Sequence, residues 1–494
     1  MDILYLMWLM LLLPPICAII SLARVTGTKT LGLLAQLTSV AVLIIWFVLC
    51  GYVQEVGKIS RGIFYLDALG IWFLLTLAVV YLLISLVSNT YLQREAGDYN
   101  KNSHYEHYYF ALVHFFVAIM MVVFCIDNLG IMWVCVEATT LVSALLVAFR
   151  FTKSSIEAAW KYVMVCTVGI CFALLGTIIM YYAQTGAVDG LATADALDTG
   201  WLLRNAGMLD VGLVKYAFLF IFIGYGTKMG LAPMHTWLPD TYAQAPSTIS
   251  ALLSGGLTTC VTFVLIKNLM VVRQALEAGF ITNMLLFFGV LSIGVALPFM
   301  FVQREMKRLF AYSSVENIGL VTIALAINSE VAAIGLLIFV LNHAIIKFVL
   351  FYLAGRLIFD FGSDNMMRIH GLLIATPRLA RTLLFAAMAI VGMPPFGIFF
   401  GKLYILRAVF AKGHVGIGIL VLLMLVGIFL GFFYHIIRML SDRQTKHVEP
   451  FDRFDSVVMI GALVVSALAG VLFAYGEDSL LMQATYILSS GVIQ

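Results

Sequence analysis

The chain has 494 residues, of which 63% are hydrophobic and only 11% charged, with a formal net charge of +3. A soluble domain carries about 25% charged residues. The composition therefore excludes a string of soluble domains and defines a polytopic membrane protein whose first partner is the lipid bilayer; no nucleic-acid partner is expected. The N-terminal MDILYLMWLM lacks the basic start of a signal peptide and reads as a first span. The seven cysteines form no CxxC and no Cys/His cluster, so no zinc, haem or iron–sulfur site is expected in this chain. Neither GxGxxG nor GxxxxGK[ST] occurs, which removes the motif basis for nucleotide binding.

A membrane span needs about 20 apolar residues. In chain order, hydropathy predicts 14 of them, at about 3–23, 31–52, 64–88, 108–126, 129–149, 162–184, 213–233, 249–272, 280–301, 309–328, 331–358, 382–410, 415–440 and 456–474. The segment 234–247, MHTWLPDTYAQAPS, is too polar to span and reads as an interfacial or buried amphipathic connection. Odd-numbered loops carry 18 basic residues, Lys101, Arg443 and Lys446 among them, and even-numbered loops six. The positive-inside rule places odd loops in the cytoplasm and both termini outside. The long outside loop, about 185–212, holds Asp189, Asp195, Asp198 and Asp210, which that rule permits.

Four lysines lie inside apolar spans: Lys228, Lys267, Lys347 and Lys402. A charge at mid-bilayer costs at least about 2.5–3.5 kcal/mol, so each needs a use. Span seven reads FIGYGTKMGLAPMHTWLPD, in which Gly230 and Pro233 follow Lys228. Span twelve reads AIVGMPPFGIFFGKLYIL, in which Gly392, Pro394, Pro395 and Gly397 precede Lys402. Proline removes a donor and clashes with the preceding turn, so both helices are expected to break. Freed backbone groups are tolerated at membrane depth only against protein or a water-filled cavity. Two broken spans, five spans apart, point to an inverted repeat with a transport site. Ordinary kinks are the plainer reading; a lysine at both breaks weighs against it.

Glu137 reads as the sole acid near the middle of a span, and Lys228 is its candidate partner for proton transfer; a static ion pair is the alternative. In span eleven, His343 and Lys347 are i and i+4 and share a face, suited to a relay or to a plain helix contact. Lys267 is balanced between relay and snorkelling to the interface. Glu316 reads as the start of span ten with an interfacial or packing role, and Arg407 as an interface anchor. His235 either connects the site to one side or caps the broken helix.

The segments WVCVEA, GTKMGLAPMHTWLPDTYAQAPS, REMKRLFAYSSVENIG, LNHAIIKFVLFYLAG and GMPPFGIFFGKLYIL, in this order across about residues 105–440, resemble the antiporter-like membrane subunits of respiratory complex I, Mrp antiporters and energy-converting hydrogenases. YSSVENIG and the short C-terminus look most like the branch of hydrogenase-4 component F and the formate hydrogenlyase membrane subunits. The resemblance implies an all-α fold of about 14 transmembrane helices with two inverted five-helix repeats and broken helices 7 and 12. It divides the chain into 1–104, 105–272, 273–440 and 441–494. It also implies a mid-membrane axis of Glu137, Lys228, His343, Lys347 and Lys402 moving protons in a redox-driven complex. Partners would be other antiporter-like and connecting membrane subunits and peripheral redox subunits holding iron–sulfur clusters, a [NiFe] site or flavin, in a prokaryotic inner membrane. Alternatives are an Mrp-type Na⁺/H⁺ antiporter subunit, a membrane partner in inorganic-carbon uptake, or a scaffold with a dead channel. One position departs from the pattern: where the family places a central lysine in span eight, a gapless placement puts Thr259. Lys267 lies eight residues further on, about 12 Å along a helix.

Overall fold

The computed structural model describes residues 3–24, 27–99, 105–185, 196–441, 450–475 and 479–491. Lys101, Asp189, Asp195, Arg443 and Lys446 lie outside these residues. The chain begins with α1 (Ile3–Leu22) and α2 (Thr28–Val56), then a hairpin of β1 (Lys58–Arg61) and β2 (Phe64–Asp67). Next come α3 (Ala68–Tyr99), α4 (Tyr105–Phe124), α5 (Leu129–Val147), α6 (Lys153–Thr185), α7 (Thr199–Arg204), α8 (Val211–Met229), α9 (Trp237–Gln244) and α10 (Ser247–Leu252). A five-residue π turn, Leu253–Leu257, joins α10 to α11 (Thr258–Ala275). The remainder is α12 (Ala278–Val302), α13 (Met306–Ile327), α14 (Glu330–Phe361), α15 (Leu372–Ala375), α16 (Pro377–Val391), α17 (Gly397–Ala411), α18 (Val415–Leu440), α19 (Arg453–Tyr475) and α20 (Ser479–Ser490).

Thirteen segments among the described residues are long and apolar enough to cross a membrane. The other predicted span is divided into α16 and α17, of 15 residues each, by the Gly392–Phe396 break. The α10–α11 rod is buried from Ser247 to Val272, α13 throughout except at Arg308, and α14 over most of its length, so they form the centre of the bundle. The even loops gather at one end: Phe64 bridges Ile126 beside the hairpin, and Asn128 bridges Asp198. The odd loops gather at the other, where Glu305 bridges Asn365 and the Gly371 N–H donates to the Ser441 carbonyl at 3.0 Å. This alternation agrees with the predicted sequence of crossings.

Helix starts follow local chemistry. The Asn128 side chain accepts from the Gly130 and Ile131 N–H groups, and Asp210 from Leu213, satisfying donors that a first turn leaves open. Span three begins later than predicted, because Phe64–Asp67 pairs with Lys58–Arg61 as a strand. The polar segment after span seven is buried through Trp237, Leu238, Pro239, Thr241 and Tyr242.

Both predicted breaks are present. Gly230 (φ 89°) and Gly392 (φ 88°) end their helices in the left-handed region, which glycine enters without a Cβ penalty. The freed groups find partners. Trp237 Nε1 donates to the Thr227 carbonyl at 2.8 Å, and the Ala232 N–H donates to Ser292 Oγ at 3.0 Å. Lys402 Nζ donates to the Val391 carbonyl at 3.3 Å. The Thr227 carbonyl also accepts from the Gly230 N–H at 3.1 Å, so losing the indole donor removes one buried hydrogen bond, a net cost of about 0.5–1.5 kcal/mol. Trp237→Phe is therefore expected to lower the thermal unfolding temperature of the detergent-solubilised protein measurably, while Trp8→Phe, on an exposed face, leaves it unchanged.

Candidate functional site

The four lysines and their partners form three groups. In the first, Lys228 lies in the last turn of α8, where the helix dipole favours a cation. Its Nζ donates to Thr140 Oγ1 at 2.7 Å and to Tyr162 OH at 2.8 Å. Thr140 in turn donates to Glu137 Oε2 at 3.0 Å, and Thr167 donates to Oε1 at 3.2 Å. The expected direct Glu137–Lys228 contact is corrected to a hydroxyl bridge. Thr140 is one turn beyond Glu137 on α5 and stands between carboxylate and ammonium. Lys228 is fully buried, whereas Glu137 is half-buried on a face with exposed Val134 and Leu141.

In the second group, Lys402 on α17 makes an ion pair with Glu316 on α13 at 2.9 Å. Lys347 on α14 donates to Ser313 Oγ at 2.6 Å and to the Phe310 carbonyl at 2.5 Å. Ser313 and Glu316 are i and i+3 on α13, so one helix face serves both lysines. His343 lies one turn from Lys347, stacked on Phe339 with ring centroids 6.0 Å apart; its Nε2 has no partner among the described residues. Asn317, beside Glu316, is buried with both amide atoms likewise unpartnered. The reading of Glu316 as the interfacial start of a span is corrected here. The helix starts at Met306, because Lys307 is buried and donates to the Ala245 carbonyl at 2.6 Å, which puts Glu316 mid-helix.

Between these groups the bundle presents hydroxyls. Tyr242 OH lies 3.4 Å from Thr258 Oγ1, and Ser254 Oγ lies 3.0 Å from Ser314 Oγ, next to Ser313. Thr259 turns its hydroxyl back to the Gly255 carbonyl at 2.6 Å and contributes nothing to this seam.

Lys267 forms the third group. It neither snorkels nor reaches the seam: its Nζ is 2.9 Å from Asp67 Oδ2, with both side chains almost fully buried. Asp67 Oδ1 also accepts from the Gly70 N–H at 2.7 Å, capping α3. His235 sits behind the α8 break, 6.2 Å from Tyr312 between ring centroids. It does not take the Thr227 carbonyl, which Trp237 and the Gly230 N–H hold. Arg407 is exposed, as an anchor would be. Sequence reading missed Thr140, Tyr162, Ser313 and Asp67. Hydroxyls carry no charge signal in an apolar run, and Asp67 fell at a span boundary.

Thus the fold and site define an integral membrane protein with charged groups aligned through its core and lysines at two helix breaks. Residues 127–431 match the family model for the membrane domain of NADH:quinone oxidoreductase and Mrp antiporters, and the chain belongs to that family. It is 33% identical over 360 residues to a hydrogenase-4 component F homolog of Methylacidiphilum infernorum, covering 72% of this chain and 74% of that one. Its fold matches a chain of the membrane-bound sulfane sulfur reductase, an archaeal respiratory membrane complex, with TM-score 0.87, 22% identity and 98% of both chains covered. It also matches a chain of the Mrp complex from Dietzia sp. DQ12-45-1b with TM-score 0.86, 16% identity, and 100% and 99% covered.

Removing one member of a buried ion pair strands the other, at roughly 3–5 kcal/mol. Glu316→Ala is expected to destabilise the protein by that order in thermal unfolding. Glu316→Met combined with Lys402→Met should recover most of it.

Proposed function

We propose that this chain is a proton-translocating, antiporter-like membrane subunit of a redox-driven complex of the energy-converting hydrogenase or NADH–quinone oxidoreductase type. The observation that carries this reading is the charged axis: Glu137–Thr140–Lys228, a hydroxyl seam, then Ser313–Lys347 and Glu316–Lys402, with two of its lysines at helix breaks. Membership of the family and the hydrogenase-4-type relative support it.

Each part has a defined task. Thr140 accepts from Lys228 and donates to Glu137, so a proton leaving Nζ for Thr140 Oγ1 is matched by one leaving Oγ1 for Glu137. Both groups end neutral and Thr140 is unchanged. The seam passes protons between hydroxyls without storing charge. Lys347 and Lys402 share the carboxylate side of α13, so a proton gained by one raises the cost of charge on the other. His343 lies beside both and can take up the displaced proton. His235 offers a side connection at the first break.

Glu137 also identifies a partner surface. A carboxylate only half-buried at mid-membrane is costly against lipid, so this face packs against another membrane subunit of the complex. Iron–sulfur clusters, a [NiFe] site or flavin belong to the peripheral redox subunits. The arginine-rich end faces the cytoplasm of a prokaryotic cell, which puts the β-hairpin and both termini outside.

The deciding experiment is affinity purification from native membrane in mild detergent with mass spectrometry. Redox subunits with iron–sulfur, [NiFe] or NADH-oxidising chemistry are expected. A set of small membrane proteins without them would instead indicate cation/proton exchange of the Mrp type. In vesicles, Lys228→Ala and Glu137→Ala are expected to abolish donor-driven proton translocation while the subunits still co-purify. Thr140→Val should lower it by about tenfold or more, the scale of a lost proton-transfer group, and Thr140→Ser should restore it.

A further inference from the structure

Lys267 and Asp67 are not absorbed by the mid-membrane axis, yet their surroundings are built. The pair lies at the hairpin end, one member on α11 and the other at the last position of β2. Tyr65, two residues earlier on the same strand, places its ring 5.2 Å from Lys267 Nζ. Tyr65 is 7% exposed, and its hydroxyl has no partner among the described residues. It lines a cavity of about 510 Å³ at this end, together with Asp127, Asp198, Lys58 and Arg204. A water takes about 30 Å³ in the liquid, so the cavity has room for many. Asp127 accepts from the Gly200 N–H at 3.2 Å through Oδ2, while Oδ1 is buried and has no partner among the described residues. Burial pushes the Asp127 carboxyl above its ordinary range, against the pull of Lys267.

On the inward side the surroundings are dry. Phe263 precedes Lys267 by one turn of α11, with its ring 5.4 Å from Nζ. Phe263 packs on Phe73 of α3 and Phe124 of α4, each at 5.3 Å between centroids, and Phe73 lies 6.1 Å from Phe124. All three rings are buried. Phe263, which holds the other two rings, stands on α11 four residues from Lys267 and five from Thr258, a stretch of nine residues or about 13 Å along the helix. A closed ring of apolar side chains blocks ion passage by excluding water.

We propose that Lys267 and Asp67 form a proton-release site that opens through Tyr65 and Asp127 into the hairpin-end cavity, and that Phe73, Phe124 and Phe263 are the apolar gate separating it from the hydroxyl seam. The Lys267 ammonium gives a proton to the Asp67 carboxylate, leaving a neutral amine and a neutral acid. Asp67 passes it to Asp127 at the cavity wall and thence to solvent. The amine is recharged by a proton from the seam when the gate opens. A clasp that merely pinned the hairpin to α11 would need neither the unpartnered Tyr65 hydroxyl nor a cavity. The proposal rests on proton translocation by this chain.

The test uses the full complex in native membrane vesicles, with a potassium diffusion potential driving protons and a pH-sensitive dye reading them. Phe263→Ala is expected to raise passive proton conductance by about tenfold, and adding Lys267→Met should return it to the wild-type level. Lys267→Met and Asp67→Asn are each expected to lower donor-driven translocation at least about fivefold with all subunits co-purifying. Phe263→Leu, which keeps apolar bulk, serves where the alanine variant does not assemble, and should leak more than wild type, the excess again lost on adding Lys267→Met. Equal leak with and without Lys267→Met, or wild-type translocation by both Lys267→Met and Asp67→Asn, would overturn the release site. Lys228→Ala is read in parallel. Its loss beside an unaffected Lys267→Met strikes this inference alone, whereas normal translocation by Lys228→Ala strikes the functional reading itself.

Discussion

Everything in this molecule depends on one constraint: a charge or a bare backbone group buried in an apolar bundle must find a partner inside the protein. The two helix breaks and the buried lysines satisfy that demand jointly. Lys402 covers the Val391 carbonyl freed at its own break and reaches Glu316 with the same ammonium. Lys228 ends α8 where unpaired carbonyls make the field negative. Trp237 shares the Thr227 carbonyl with the Gly230 N–H. Break and charge are thus a single arrangement, each making the other tolerable.

The two ends of the axis solve the same problem differently. Lys402 meets its carboxylate directly, within an interior that covers both groups. Lys228 reaches Glu137 only through Thr140, and Glu137 lies half-buried on an outer face. A direct pair holds its charges firmly. A hydroxyl-bridged pair with one half-buried member is more easily shifted by charge from outside the chain. The Glu137 end thus faces outward from the chain, and the Glu316 end lies in its interior.

The middle of the axis has no lysine. Thr259 hydrogen-bonds its own helix, and Tyr242, Thr258, Ser254 and Ser314 carry the polar thread past the π turn. Hydroxyls carry no charge at ordinary pH, so charge resides at the ends. The nearest lysine along α11 is drawn aside to Asp67, beyond three phenylalanines. Both the thread and the Lys267–Asp67 pair are therefore bounded by titratable side chains.

Much of this was legible in the chain itself. Apolar runs set the spans because hydropathy is local, and Gly230, Pro233, Gly392 and Pro395 set the breaks because backbone sterics are local. The buried lysines stood out because a charge in an apolar run is costly wherever it sits. The pairings were not legible. Glu316 was misplaced because the neighbouring Lys307 and Arg308 resemble a loop, and only the fold shows that Lys307 is buried on the Ala245 carbonyl. Lys267 could be assigned no partner because Asp67 lies 200 residues away. The Thr140 bridge and the short α20 left no periodic or charged signal. The sequence by itself determined where the chain crosses, where it breaks and which charges are buried. The tertiary structure alone decided which group neutralises which, because partnership depends on distances between helices that no local pattern encodes.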